Sequence, residues 1–244
     1  MAGQNRPFLT ATWRNLVLLS YEIDPEALLK YLPPGLSLDA WQGKCLISFV
    51  GLQFRNTRVR GIPAPIYRNY PQVNLRFYVR REIDGQYRRG VVFIKQIVPH
   101  RMVALVARRV YHERFVAMPL RCSLVFPSDS SQPQKITYQW RHRRKRGKME
   151  VADLGALEHP KEGSIEQFLA EHYWGYNAQP DGSTLEYLVD RPSWRIRVAA
   201  TSTLVCDVEQ LYGSSFVESL GASPLAAFWA EGSEVAVHRG VRLS

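Results

Sequence analysis

The chain has 244 residues, 45% apolar and 11% aromatic, with a formal net charge of +10. Such a composition supports a real core and excludes a globally disordered chain, while the basic balance admits anionic partners without selecting one. No apolar run reaches spanning length, so no membrane partner is expected. Cys45, Cys122 and Cys206 are odd in number, sit in apolar runs and lack C-x-x-C spacing, which reads as buried thiols in a reducing compartment. With no signal-peptide pattern in MAGQNRPFLTATW, the expected location is cytoplasmic.

TATWRNLVLLSYEI (10–23) is strand-rich. DPEALLKYLPPG (24–35) follows as a short helix, with Asp24 as cap, Pro25 at the first helical position and a Pro-Pro-Gly stop. CLISFVGLQF (45–54) reads as a buried strand and RGIPAPIYRNYP (60–71) as a loop. VNLRFYVRREI and QYRRGVVFIKQIV flank Asp84-Gly85, the signature of a two-residue hairpin turn. HRMVALVARRVYH (100–112) spaces Val103, Val106, Ala107 and Val110 as an amphipathic helix. PLRCSLVFPS, QKITYQW and KMEVADLG continue as antiparallel strands. Ser164 and Gln167 then form a capping box for a helix carrying FLAEHYWGY. LEYLV, WRIRVAATSTLV, PLAAFWA and SEVAVH are again strands, with a turn at Glu231-Gly232-Ser233. The order argues for one α+β, mainly antiparallel domain over residues 1–244 rather than alternating βαβ units.

The hairpin yields a register. With Ile83 opposite Gln86, Arg76 faces Phe93 and Asn74 faces Lys95, so Asn74, Arg76, Tyr78 and Lys95 share one face. Val73, Leu75, Phe77, Val79, Val92 and Ile94 fill the other. Two readings fit: a half-buried hairpin with its polar face in water, or a lumen in which Lys95 and Arg76 hold an anionic group. The pattern by itself is that of the first; Lys95 inside VVFIKQIV is the one feature that speaks for the second, since a buried amine would lose basicity and could become a base or Schiff-base nucleophile.

There is no G-x-S-x-G, P-loop, G-x-G-x-x-G or H-E-x-x-H, and the six histidines show no metal-ligand spacing; no cofactor or metal is expected. RHRRKRGK (141–148) reads as a basic hairpin tip, a solvated loop with nucleic-acid binding as the lesser alternative. His172, Tyr173, Tyr176 and Trp194 are pocket candidates or core. Glu113 beside His112 is a candidate acid/base group, although adjacent helical residues do not face each other.

FLTATWRNLVLLSYEIDPEALLKYLPPG, YPQVNLRFYVRR, RRGVVFIKQIVP, ARRVYHERFVAMPL and FWAEGSEVAV together resemble the YqjF-like family of unknown function. That family looks like a member of the acetoacetate decarboxylase-like fold, which implies a strongly bent antiparallel sheet closing into a cone-like barrel around a small polar cavity, with a few short helices. Enzymes of the fold carry a Glu followed by aromatic-Gly-aromatic-Pro-Lys-Lys, where one lysine forms a Schiff base with a β-keto acid. Residues 109–121 match that place: Glu113 and Pro119 line up, but Leu120 and Arg121 stand where the lysine pair would be. The resemblance thus implies a small acidic, keto acid-like ligand without the usual nucleophile, and the ligand-binding residues expected from the chain are Asn74, Arg76, Tyr78, Met118 and His172. Catalysis through a relocated Lys95 with Glu113, and anion or nucleic-acid binding through residues 141–148, stand as alternatives. Homo-oligomers occur often on this fold.

Overall fold

The computed structural model describes residues 6–64, 67–128 and 131–243. In chain order it forms β1 (Leu9–Glu22), α1 (Glu26–Leu29), β2 (Ser37–Leu38), β3 (Ala40–Trp41), β4 (Lys44–Val59), β5 (Ile62–Pro63), β6 (Tyr70–Ile83) and β7 (Gln86–Val98). These are followed by α2 (Arg101–Tyr111), β8 (Phe115–Ala117), β9 (Leu120–Val125), β10 (Lys135–His142), β11 (Lys145–Leu154) and α3 (Ile165–Ala170). The chain ends with β12 (Trp174–Ala178), β13 (Thr184–Asp190), β14 (Ile196–Val205), α4 (Val208–Tyr212), α5 (Val217–Gly221), β15 (Ala226–Ala230), β16 (Glu234–Val237) and β17 (Val241–Leu243).

The ladders trace a closed ring. β1 pairs with β4, β4 with β6, and β6 with β7, all antiparallel. β7 pairs in parallel with β12, β12 with β13, β13 with β16, and β16 returns to β1. Register shifts in the β1–β4 and β6–β7 ladders bend the long strands enough to curl the sheet on itself. The side-chain period of two then separates two cores. Leu16, Leu18, Val50, Leu52 and Tyr78 point into the ring, while Val17, Leu19, Phe49, Phe77 and Val79 point outward. The outward set packs against Ile136, Tyr138 and Trp140 of β10 and Met149 and Val151 of β11, in a second sheet built from β9, β10, β11 and β14. The result is the expected α+β, mainly antiparallel bent sheet.

Local signals place most elements. Asp84 and Gly85 both have positive φ (49° and 75°), so the hairpin turns as the Asp-Gly pair dictates. Ser164 accepts from the Gln167 backbone N–H at 3.2 Å while Gln167 accepts from Gly163 N–H at 2.7 Å, a reciprocal cap on α3. Asp24 accepts from Glu26 N–H at 3.0 Å, but α1 starts one residue later than expected, at Glu26, with Pro25 in the capping position. The basic run 141–148 is the tip of the β10–β11 hairpin.

Three further expectations are corrected. The helix capped by Ser164 ends at Ala170, so WGYNA is strand β12 rather than helix: the parallel pairing to β7 and burial of Tyr176 override local helical spacing. Residues 208–221, not read as helical, form α4 and α5 with a 3₁₀ turn between them. Cys45 is buried, but Cys122 and Cys206 are only partly so; all three are free. The side chain of Val110, assigned to the apolar face of α2, lies outside the described residues, as do Pro65 and Ile66 of the 60–71 loop.

Candidate functional site

Inside the ring lies a cavity of about 440 Å³. Its walls are mainly apolar, from Leu16 of β1, Val50, Leu52 and Phe54 of β4, and Val103 and Val106 of α2. Met102 and Val106 line it and are still 51% and 50% exposed, which puts α2 at its mouth. A polar stripe crosses this apolar surface. Gln72, Asn74 and Arg76, alternate residues of β6, supply one part of it, and Gln96, Glu113, His172, Tyr187 and Arg191 the rest.

The register expected for β6–β7 holds from the turn to Arg76, which faces Phe93, and then breaks. Ile94 is an extra residue on β7, so Leu75 pairs with Lys95 and Asn74 with Gln96. A bulge reverses which face each later side chain uses. Lys95 is therefore not on the face of Asn74 and Arg76. Its Nζ donates to the Leu211 carbonyl and sits 5.2 Å from the Tyr212 ring centroid, in the outer core. Burial does lower its pKa, but the amine points away from the cavity. Gln96 takes the inward position instead.

Glu113 is the acid of the site. The left-handed His112 (φ 53°) caps α2 and turns the chain, which leaves His112 exposed and drops Glu113 into the interior. Gln72 Nε2 donates to Gln96 Oε1 at 2.7 Å, Gln96 Nε2 donates to Glu113 Oε2 at 2.9 Å, and Tyr187 Oη donates to Glu113 Oε1 at 3.1 Å. Burial pushes this carboxyl up to about 7, against the downward pull of those two donors.

Two guanidinium groups share the opposite part of the stripe. Arg76 Nη2 donates to Leu169 O at 3.3 Å and Arg191 Nη2 donates to Ala170 O, consecutive carbonyls at the C-terminal end of α3. Those orphan carbonyls draw the two cations together. Neither has a carboxylate partner among the described residues. Burial pulls Arg191 down to about 9 and the charge of Arg76 adds to the shift, while Tyr173 and the carboxylate of Glu171 oppose it; Arg191 still stays protonated at neutral pH. Arg76 Nε and Asn74 Oδ1 are buried and find no partner among the described residues; nor do Trp13 Nε1 and Thr57 Oγ1, which also line the cavity.

His172 closes the deep end. Its Nδ1 lies 2.7 Å from Phe168 O and its Nε2 3.0 Å from Asp39 Oδ2, while Arg89 Nε donates to the same Asp39 oxygen at 2.7 Å. Burial alone would raise Asp39, but the hydrogen bonds from His172 and Arg89 hold it below the usual carboxylate range.

Of the residues expected at the site, Asn74, Arg76, Glu113 and His172 line the cavity, as does Trp194. Tyr78 is one layer off, its hydroxyl 2.6 Å from Ser48 Oγ and its ring 4.7 Å from that of His172. Met118 packs in the outer core, because β8 carries the chain away from the ring interior. Leu120 and Arg121 also lie outside the cavity, and no lysine lines it among the described residues. At the 141–148 tip, Lys145 pairs with Asp207 at 2.9 Å and Lys148 lies 3.5 Å from Glu150, so part of its charge is neutralised. Sequence reasoning missed Gln72, Gln96, Tyr187 and Arg191. Gln72 extends the Asn74–Arg76 alternation and was within reach; Gln96 required the bulge, and Arg191 required the packing of α3.

The architecture matches solved structures of one class. Acetoacetate decarboxylase from Legionella pneumophila subsp. pneumophila str. Philadelphia 1 superposes with a TM-score of 0.66 at 11% identity, covering 98% of this chain and 88% of that one. The enduracididine biosynthesis enzyme MppR complexed with pyruvate gives a TM-score of 0.67 at 13% identity, covering 100% and 93%. The fold is thus acetoacetate decarboxylase-like. The uncharacterized protein YqjF of Bacillus subtilis (strain 168) is 30% identical over 102 residues, a match spanning 41% of this chain and 40% of YqjF. The family model DUF2071, an uncharacterized conserved protein, matches residues 10–234, and the chain belongs to that family.

Proposed function

We propose that the ring cavity binds a small organic acid through Arg76 and Arg191. The observation that carries this reading is the pair of half-buried guanidinium groups, brought to consecutive α3 carbonyls with no salt-bridged carboxylate among the described residues. Two neighbouring half-buried cations repel each other, a cost that a bound carboxylate relieves with charge-assisted hydrogen bonds. The unpartnered Arg76 Nε and Asn74 Oδ1 add a donor and an acceptor beside it. MppR, on the same fold, has been solved with pyruvate, a keto acid.

Schiff-base decarboxylation is not extended to this chain, since the cavity presents no lysine among its described residues. A second reading, proton transfer to or from the bound acid, rests on Glu113, whose carboxyl is poised near neutral pH on the cavity wall. We place the protein in the cytoplasm, on its free thiols.

A panel of carboxylates and their neutral amides, read by melting-temperature shift, tests the binding reading. Acids should stabilise the chain and amides should not; at a hundredfold excess over Kd the gain is about 2.7 kcal/mol. Arg76→Met should keep the unliganded melting temperature within a few degrees and lose the shift. An unchanged shift in that variant refutes the assignment.

A further inference from the structure

Resting on the carboxylate reading above, we infer that the occupant is an aromatic carboxylic acid, its carboxylate on the Arg76–Arg191 pair and its ring along a wall of aromatic side chains that starts at Arg191. The guanidinium carbon of Arg191 lies 3.5 Å from the Trp194 ring centroid. Trp194 contacts Trp13 at 6.2 Å, Trp13 contacts Phe54 edge-on at 5.7 Å, and Phe54 stacks on Tyr70 at 4.8 Å and 8°. These four rings all line the cavity, so cation and aromatic surface are continuous. A ligand that satisfies both carries its charge next to a flat apolar body.

Volume argues the same way. The cavity's 440 Å³ is roughly 15 water volumes at ~30 Å³ each. A three-carbon keto acid would leave well over half of that space to void or to water with few polar partners, whereas cavities of this size ordinarily enclose ligands of drug-like dimensions. Offset or edge-on ring contacts add to the burial of a planar body. The wall also offers two polar atoms without partners among the described residues, Trp13 Nε1 and Thr57 Oγ1, where a ring substituent would find hydrogen bonds.

The test is calorimetric titration of the full chain at neutral pH with 3-phenylpropionate, pyruvate and 3-phenylpropanamide. The phenyl acid should bind on the order of ten- to a hundredfold tighter than pyruvate, the range expected for burying one aromatic ring, and tighter than its amide by at least about tenfold. Trp13→Leu should collapse the ratio of the two acid affinities toward one; Phe54→Leu repeats the test if the first variant fails to fold. Pyruvate binding as tightly as the phenyl acid overturns this inference and leaves the carboxylate reading standing. An amide as tight as the acid, or no binding by any of the three, overturns the carboxylate reading and this inference with it.

Discussion

Glu113 shows how a single side chain acquires chemistry from its surroundings. Its carboxyl is buried on the cavity wall, and burial raises it from 4.5 to about 7. A group whose folded pKa exceeds its unfolded value contributes stability that is complete below pH 4.5 and is lost as pH rises through 7. The difference of about 2.5 units at 1.36 kcal/mol each is about 3 kcal/mol. Burial pulls His172 the opposite way, from 6.5 to about 4, although both its ring nitrogens face acceptors, Phe168 O and Asp39 Oδ2, which favours the protonated ring. Wild-type melting curves mix the two. Glu113→Gln isolates the first: relative to wild type, the variant should gain stability progressively from pH 5 to pH 8 in denaturant titrations. A constant difference across that range would contradict the raised carboxyl. Lys95 makes the complementary case. With its Nζ on Leu211 O and its face opposite to Asn74, Lys95→Met should leave carboxylate-induced shifts intact.

At the scale of elements, the β6–β7 bulge and the parallel pairing of β12 with β7 set the stripe. The bulge puts Gln96 inward, and Gln96 links Gln72 to Glu113. Gly175 of β12 lets Tyr187 come close: a Cβ there would stand 2.2 Å from Tyr187 Cζ. The ring must move for any side chain to fit, and its hydroxyl holds Glu113 at 3.1 Å. Gly175→Ala should therefore cost about 1–3 kcal/mol in overpacking and remove one donor from the carboxyl, raising its pKa further. The check is the denaturant midpoint together with the pH at which the Glu113-dependent stability change is centred. A neutral substitution would mean that the strand shifts instead.

For the whole molecule, the closed ring has unequal seams. β1–β4 and β6–β7 are long antiparallel ladders, whereas β7–β12 joins through three residue pairs in parallel and β13–β16 through two. Short seams open at lower free energy than long ones. Amide exchange should be faster at Trp174–Tyr176 and at Val189–Asp190 than in the centres of β4 and β6, and a bound acid should slow it there, since Arg191 and Tyr187 flank those seams. Uniform protection around the ring would refute this ordering.

Much of this was legible in the chain itself. Asp84-Gly85 could only be a hairpin turn, Ser164 and Gln167 capped a helix, and the two-residue alternation of Asn74 and Arg76 against Val73, Leu75 and Phe77 separated a polar face from an apolar one. Those are local constraints, satisfied within a few residues by sterics and backbone hydrogen bonds. Whether the polar face met water or a lumen was not local, because ring closure depends on β12 pairing with β7 across some eighty residues. The position of Lys95 was not local either: one extra residue in β7 leaves the composition of the strand unchanged yet exchanges its faces. Arg191 joined Arg76 only because the end of α3 offered two adjacent carbonyls. Residue type and spacing thus determined most strands, the hairpin turn and the α3 cap; tertiary packing decided that residues 174–178 are strand rather than helix and which side chains share the cavity, since pairing register and burial are settled between distant segments.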